Sequence, residues 1–175
     1  MKNKTITFRS IAAALILFSG IGSAQADFGP IEDRLKIQDI WARYVIMLDS
    51  ANGEEFIKMF TEDAVLNVNN IDIIKGRADI KAMVDSMGAM PGISDSKFGS
   101  MRHIVTSLSL DIQGDIATAD SYWMEVMATA TNVQPVIFNV GRYEDEYVKI
   151  QGQWYFSRRD ILADIGYVPE FGMPE

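Results

Sequence analysis

The chain has 175 residues, with 16 basic and 24 acidic side chains, one histidine and no cysteine. That inventory excludes a disulfide, a thiol nucleophile and a histidine-rich zinc site. A formal net charge of −8 repels nucleic acid and anionic lipid, and no basic patch interrupts it.

Residues 1–26 read as a secretory signal peptide. Lys2, Lys4 and Arg9 form a basic start, an apolar run follows over 11–21, and Ala24-Gln25-Ala26 makes a small-residue cleavage pattern before Asp27. The run is too short to span a bilayer. Cleavage after Ala26 implies a periplasmic or secreted protein with no membrane attachment. Without the three basic residues of the prefix, 13 basic face 24 acidic groups and the net charge becomes about −11. What remains is one domain over 27–165 and a short tail over 166–175.

After a leader at 27–30, a helix is predicted over 31–50. Ile37, Ile40, Trp41, Tyr44 and Leu48 form its apolar stripe, with Lys36, Asp39 and Arg43 opposite. Tyr44 puts a phenol in the stripe and Asp49 a carboxylate at its margin. Asn52 is the expected N-cap of a second, short helix, with Glu55 at the capping-box position. Phe56, Met59 and Phe60 form that helix's apolar face. Two short strands, 64–68 and 71–75, pair across Asn69-Asn70. A third helix covers 77–87, and 88–100 is a loop placed to cover a pocket. Strands over 101–112, 116–130, 136–150 and 153–165 complete the chain. Helices first and hairpin-linked strands after them give an α+β domain, its helices packed on one face of a curved antiparallel sheet.

The segments RYVIMLDSANGEEFIKMFTEDAVL, KGRADIKAMV, MRHIVTSLSLDIQGDIATADSYW and GRYEDEYVKIQGQWYFSRRDI span almost all of this domain. In wording and order they resemble the SnoaL-like branch of the NTF2-like superfamily. The resemblance implies a cone-shaped fold enclosing a pocket between the helices and the concave sheet face. It also implies a homodimer joined through the outer face. Members include dehydratases, isomerases, cyclases and non-catalytic proteins, so the fold leaves the function open.

The dehydratases of this branch carry a Tyr and, five residues on, an Asp in the first helix, then a His at the start of the first long strand. Tyr44, Asp49 and His103 stand at those places. An Arg of the last strand completes the bile-acid dehydratase site. Arg158 or Arg159 could be its counterpart, and alternation with Trp154 and Phe156 favours Arg158 as the inward one. A second histidine of the scytalone enzyme has no counterpart, which argues against that substrate. Glu125 is the position offered for the second carboxyl of the ketosteroid isomerase pattern.

The implied chemistry is acid–base catalysis with no cofactor and no metal. His103 is the base, Asp49 its orienter, Tyr44 the donor to the substrate oxygen and Arg158 an anion contact. Trp41, Phe60, Trp123 and Glu125 are expected to contact substrate. Five residues along a helix turn about 140°, so Asp49 must lie in the last turn to join Tyr44 at His103. Each residue also has a plainer reading. Tyr44 and the aromatics can be core, Asp49 a helix end, and the arginines rim charges paired with Asp160. The function expected is an exported dehydratase or isomerase acting on a small hydrophobic, cyclic hydroxy-carbonyl compound. The alternative is a non-catalytic periplasmic protein that binds an apolar ligand or partner. On the first reading, His103→Ala abolishes turnover and leaves the melting temperature nearly unchanged.

Overall fold

A computed structural model describes residues 30–88, 99–129 and 134–164. The expected signal peptide, most of the 88–100 loop and the C-terminal tail lie outside the described residues. The elements in order are α1 (Ile31–Asp49), α2 (Gly53–Phe56), a 3-10 turn (Ile57–Met59), β1 (Phe60–Val68), β2 (Asp72–Lys75) and α3 (Gly76–Gly88). Four long strands follow: β3 (Gly99–Gln113), β4 (Ile116–Thr129), β5 (Val136–Ile150) and β6 (Gln153–Ala163).

The six strands form one sheet in the order β2-β1-β6-β5-β4-β3. Neighbours are antiparallel except β1 and β6, which run parallel. That pair departs from the antiparallel sheet expected, because β6 returns beside β1 only after the chain has built the rest of the sheet.

α1 buries Ile37, Ile40, Tyr44 and Leu48, the stripe its spacing dictates. Its start is pinned by Asp33, buried against β5 and β6. The Asp33 carboxylate accepts from Trp154 Nε1 at 2.9 Å and from Lys149 Nζ at 2.9 Å. Asn52 caps α2, its Oδ1 accepting from the Glu55 N–H at 3.2 Å. Glu55 turns its own carboxylate to Lys58, so only half of the capping box forms. Asn69 and Asn70 take left-handed conformations (φ 52° and 58°), as the tight turn between β1 and β2 requires.

The core is a run of rings between α1 and the sheet. Tyr44 lies 4.8 Å from Phe56, Phe56 5.2 Å from Phe60, and Phe60 5.1 Å from Phe156, between ring centroids. Two bulges change which residues face that core. In β3, Ser107 (φ 59°) and Leu108 together oppose one residue of β4, so Met101, His103 and Val105 share the inner face with Leu108, Leu110 and Ile112. In β6, Phe156 pairs with Tyr147 and Arg158 with Glu146, which leaves Ser157 as an extra residue.

Candidate functional site

Ser50 closes α1. Its N–H donates to the Ile46 carbonyl, and its hydroxyl donates to the same oxygen at 2.8 Å. Asp49 is thereby released from ending the helix and turns toward β3. Its carboxylate accepts the His103 backbone N–H at 3.2 Å and lies 2.6 Å from His103 Nδ1. The register of β3 on β4 sets His103 directly opposite Glu125, whose Oε1 lies 3.2 Å from Nε2. The imidazole is held between two carboxylates with only 5% of its side chain exposed.

Burial alone would lower the pKa of this ring. The hydrogen bonds and charges of Asp49 and Glu125 outweigh it and raise the pKa from 6.5 to about 9. His103 is therefore an imidazolium at neutral pH, with Nδ1–H donating to Asp49 and Nε2–H to Glu125. The charged form at neutral pH differs from the neutral imidazole expected from the sequence.

A second buried cluster lies alongside. Arg159 is fully buried and bonds Asp145 through both arms, Nε to Oδ1 at 2.7 Å and Nη2 to Oδ2 at 2.6 Å. Tyr147 donates its hydroxyl to Asp145 at 3.0 Å. The guanidinium lies 3.9 Å from the Tyr44 ring centre, 4.1 Å from Tyr143 and 4.4 Å from Phe156. Burial pushes the Tyr44 phenol up, against the opposing pull of Arg159, and pushes Tyr143 well up. Both remain neutral donors at physiological pH. Glu125 adds its negative charge to the surroundings of both phenols.

Several expectations change. Arg158 points outward and pairs with Asp160 at 2.8 Å, while Arg159 takes the inward place. The extra residue Ser157 shifts the alternation by one, which simple period-two counting misses. Tyr44 packs its ring against the Arg159 guanidinium. Phe60 is core, enclosed by Phe56 and Phe156. Trp41 is half-buried and donates Nε1 to Ser121 Oγ at 3.3 Å. Trp123 is buried and stacked on Tyr143. Glu125, expected as a substrate contact, is also a partner of His103. Asp145 and Tyr143, which alternate with Tyr147 in the sequence, were not among the candidate site residues, and both are buried beside Arg159. A groove of about 420 Å³ lies beside the first half of α1, lined by Leu35, Arg43 and Trp154 among others. It does not include His103, so it is not the hollow expected there. Among the described residues, no group of three or more acidic or histidine side chains is arranged to hold a metal.

Comparison with known proteins places this geometry in a family context. The family described as the SnoaL-like domain matches residues 30–160. An uncharacterised protein of Mycobacterium tuberculosis is 27% identical over 131 residues, covering 74% of this chain and 84% of the relative. Among solved structures, an NTF2-like protein with a cystatin-like fold from Novosphingobium aromaticivorans superposes with a TM-score of 0.67 at 24% identity. The match covers 77% of this chain and 84% of that one. A candidate scytalone dehydratase from the same organism gives a TM-score of 0.64 at 22% identity, over 82% of this chain and 96% of its own. At these identities the two structures speak for the fold alone.

Proposed function

Because the chain belongs to the SnoaL-like domain family, we propose that it is an exported, cofactor-free acid–base catalyst, a dehydratase or isomerase. Its substrate is a small hydrophobic, cyclic hydroxy-carbonyl compound. The observation that carries this reading is the imidazole of His103 held between the carboxylates of Asp49 and Glu125. Dehydration needs an acid for the departing hydroxyl and a base for the proton next to the carbonyl, and the pair supplies both. Glu125 takes the carbon-bound proton as the double bond forms. His103 Nε2–H protonates the oxygen as its bond to carbon breaks, and water leaves. The proton on Glu125 then returns to Nε2, which restores the starting pair. Asp49 holds the ring through Nδ1 throughout, a positioning residue that also stabilises the charged form. Tyr44 and Arg159 polarise the carbonyl.

One observation favours a non-catalytic binding protein for an apolar ligand or partner: at rest Glu125 covers Nε2, the atom that must reach the substrate. The readings separate in one assay. Wild type, His103→Gln and Glu125→Gln are mixed with a panel of cyclic β-hydroxy ketones, and the conjugated enone is followed by ultraviolet absorbance. Catalysis predicts turnover by wild type and a fall of at least ~100-fold in each variant. Ketones that bind and are returned unchanged by wild type favour the binding protein. Export rests on residues 1–26, and recovery of a chain beginning at Asp27 from the periplasmic fraction tests it.

A further inference from the structure

α1 carries a second apolar stripe on the side turned away from the core. Ile31, Leu35 and Ile46 are exposed by 76%, 59% and 58%, and Ala42 is exposed between them. At about 100° of turn per residue these four lie within about 60° of one another. They stand opposite the buried stripe of Ile37, Ile40, Tyr44 and Leu48. A helix of a single domain needs one such stripe, and the second leaves apolar side chains in water. Two acids and two bases, Glu32, Lys36, Asp39 and Arg43, run along one flank of it. Lys36 pairs with Glu32 at 2.8 Å. Neither Asp39 nor Arg43 holds an ion pair or a side-chain hydrogen bond among the described residues. The same flank forms one wall of the groove of about 420 Å³ beside α1.

We infer that this face binds a second copy of the chain, α1 against α1 in antiparallel directions about a two-fold axis. The order of the charges selects that partner. Read backwards, acid–base–acid–base becomes base–acid–base–acid. An axis between Ile37 and Gln38 therefore sets Glu32 opposite the partner's Arg43 and Lys36 opposite the partner's Asp39. The two charges left unpaired in one chain both gain opposites from the other. The same axis brings Ile31 to within about 3 Å, along the helix, of the level of the partner's Ile46, and Leu35 equally near the partner's Ala42. It also keeps the charged flanks of both helices on one side, so the ladder and the apolar stripe close together. A parallel pair would set like charge on like. The chain's net charge of −8 opposes self-association in general, and this flank is neutral. Two helices of this length meet over less than a standard interface, so the contact is weak, half formed at ~0.1 mM chain. It points away from the sheet and is independent of any association through the outer sheet face and of the proposed reaction.

Exchanging charges between two variants tests it. Arg43→Glu puts an acid opposite the partner's Glu32, and Glu32→Arg puts a base opposite the partner's Arg43, so each variant repels itself. Mixed together, the two are complementary. Both replace exposed side chains, and their far-ultraviolet circular dichroism should match that of wild type. In sedimentation equilibrium from ~10 µM to ~1 mM the average mass of wild type should rise about twofold. Each variant alone should keep its dilute mass, and the equimolar mixture should rise as wild type does. A second arm needs neither exchange. The chain has no cysteine, so Gln38→Cys supplies a single thiol beside the axis, and mild oxidation at ~0.5 mM should link two copies through it. Adding Arg43→Glu should suppress that link. A wild-type mass that does not rise by ~1 mM overturns the inference. So does a mixture that associates no better than either variant alone, or a Gln38→Cys chain that stays unlinked.

Discussion

At the scale of single residues, the account turns on what the protein spends to keep His103 charged. Its folded pKa of about 9 lies above the unfolded value of 6.5. The stabilisation is therefore fully present below pH 6.5 and is lost as pH rises through about 9. The shift corresponds to about 3 kcal/mol. Urea unfolding on the two sides of this window should show that loss in wild type, and a His103→Gln variant should lack the step. His103→Ala would leave Asp49 and Glu125 facing each other without their cation. It should lower stability by roughly 3–5 kcal/mol, which revises the unchanged melting temperature expected from the sequence. An alanine variant as stable as wild type would show that the imidazole is not ion-paired. Tyr44, Asp49 and His103 stand out in the sequence only through the resemblance to the dehydratase pattern, since nothing local links α1 to β3 across the 54 residues between Asp49 and His103. Glu125 was only a loose candidate, since its partnership depends on the register of β3 against β4, which no local spacing encodes.

At the scale of elements, the sequence showed where strands lie better than which way their side chains face. The strand boundaries of β3 to β6 fall within two residues of those expected. The facing of Arg158 and Arg159 was inverted by the one extra residue at Ser157. The phase break in β3 was readable, because Met101, His103 and Val105 alternate on odd numbers and Leu108, Leu110 and Ile112 on even ones. β5 carries a different constraint. A Cβ at Gly141 would collide with the Leu162 carbonyl oxygen and come within 2.7 Å of Trp123 Cζ2. The oxygen is backbone of β6 and cannot move without opening the β5–β6 pair. Gly141→Ala should therefore cost roughly 1–3 kcal/mol in chemical denaturation and displace Trp123, read as a change in the near-ultraviolet circular dichroism. A variant as stable as wild type with an unchanged spectrum would contradict this packing.

At the scale of the whole molecule, the order of helices before strands specified the α+β class, and four ordered segments specified the family. The parallel β1–β6 contact was not legible, since it joins strands at opposite ends of the domain. The homodimer expected from the resemblance is proposed to use the outer sheet face. Ile104, Tyr122 and Ile137 are exposed there by 46%, 60% and 63% on the adjacent strands β3, β4 and β5. Ile104→Lys with Ile137→Lys should convert a dimer to a monomer in sedimentation velocity. A wild-type monomer, or a variant that stays dimeric, excludes that face.

The central claim is that two carboxylates clamp a charged imidazole, and the chain's only histidine makes it directly measurable. The ring Cε1–H resonance of His103, followed by NMR against pH in untagged protein, should titrate near 9 in wild type. In the Asp49→Asn, Glu125→Gln double variant the midpoint should fall toward or below 6.5. A wild-type midpoint at or below 6.5 would contradict the account.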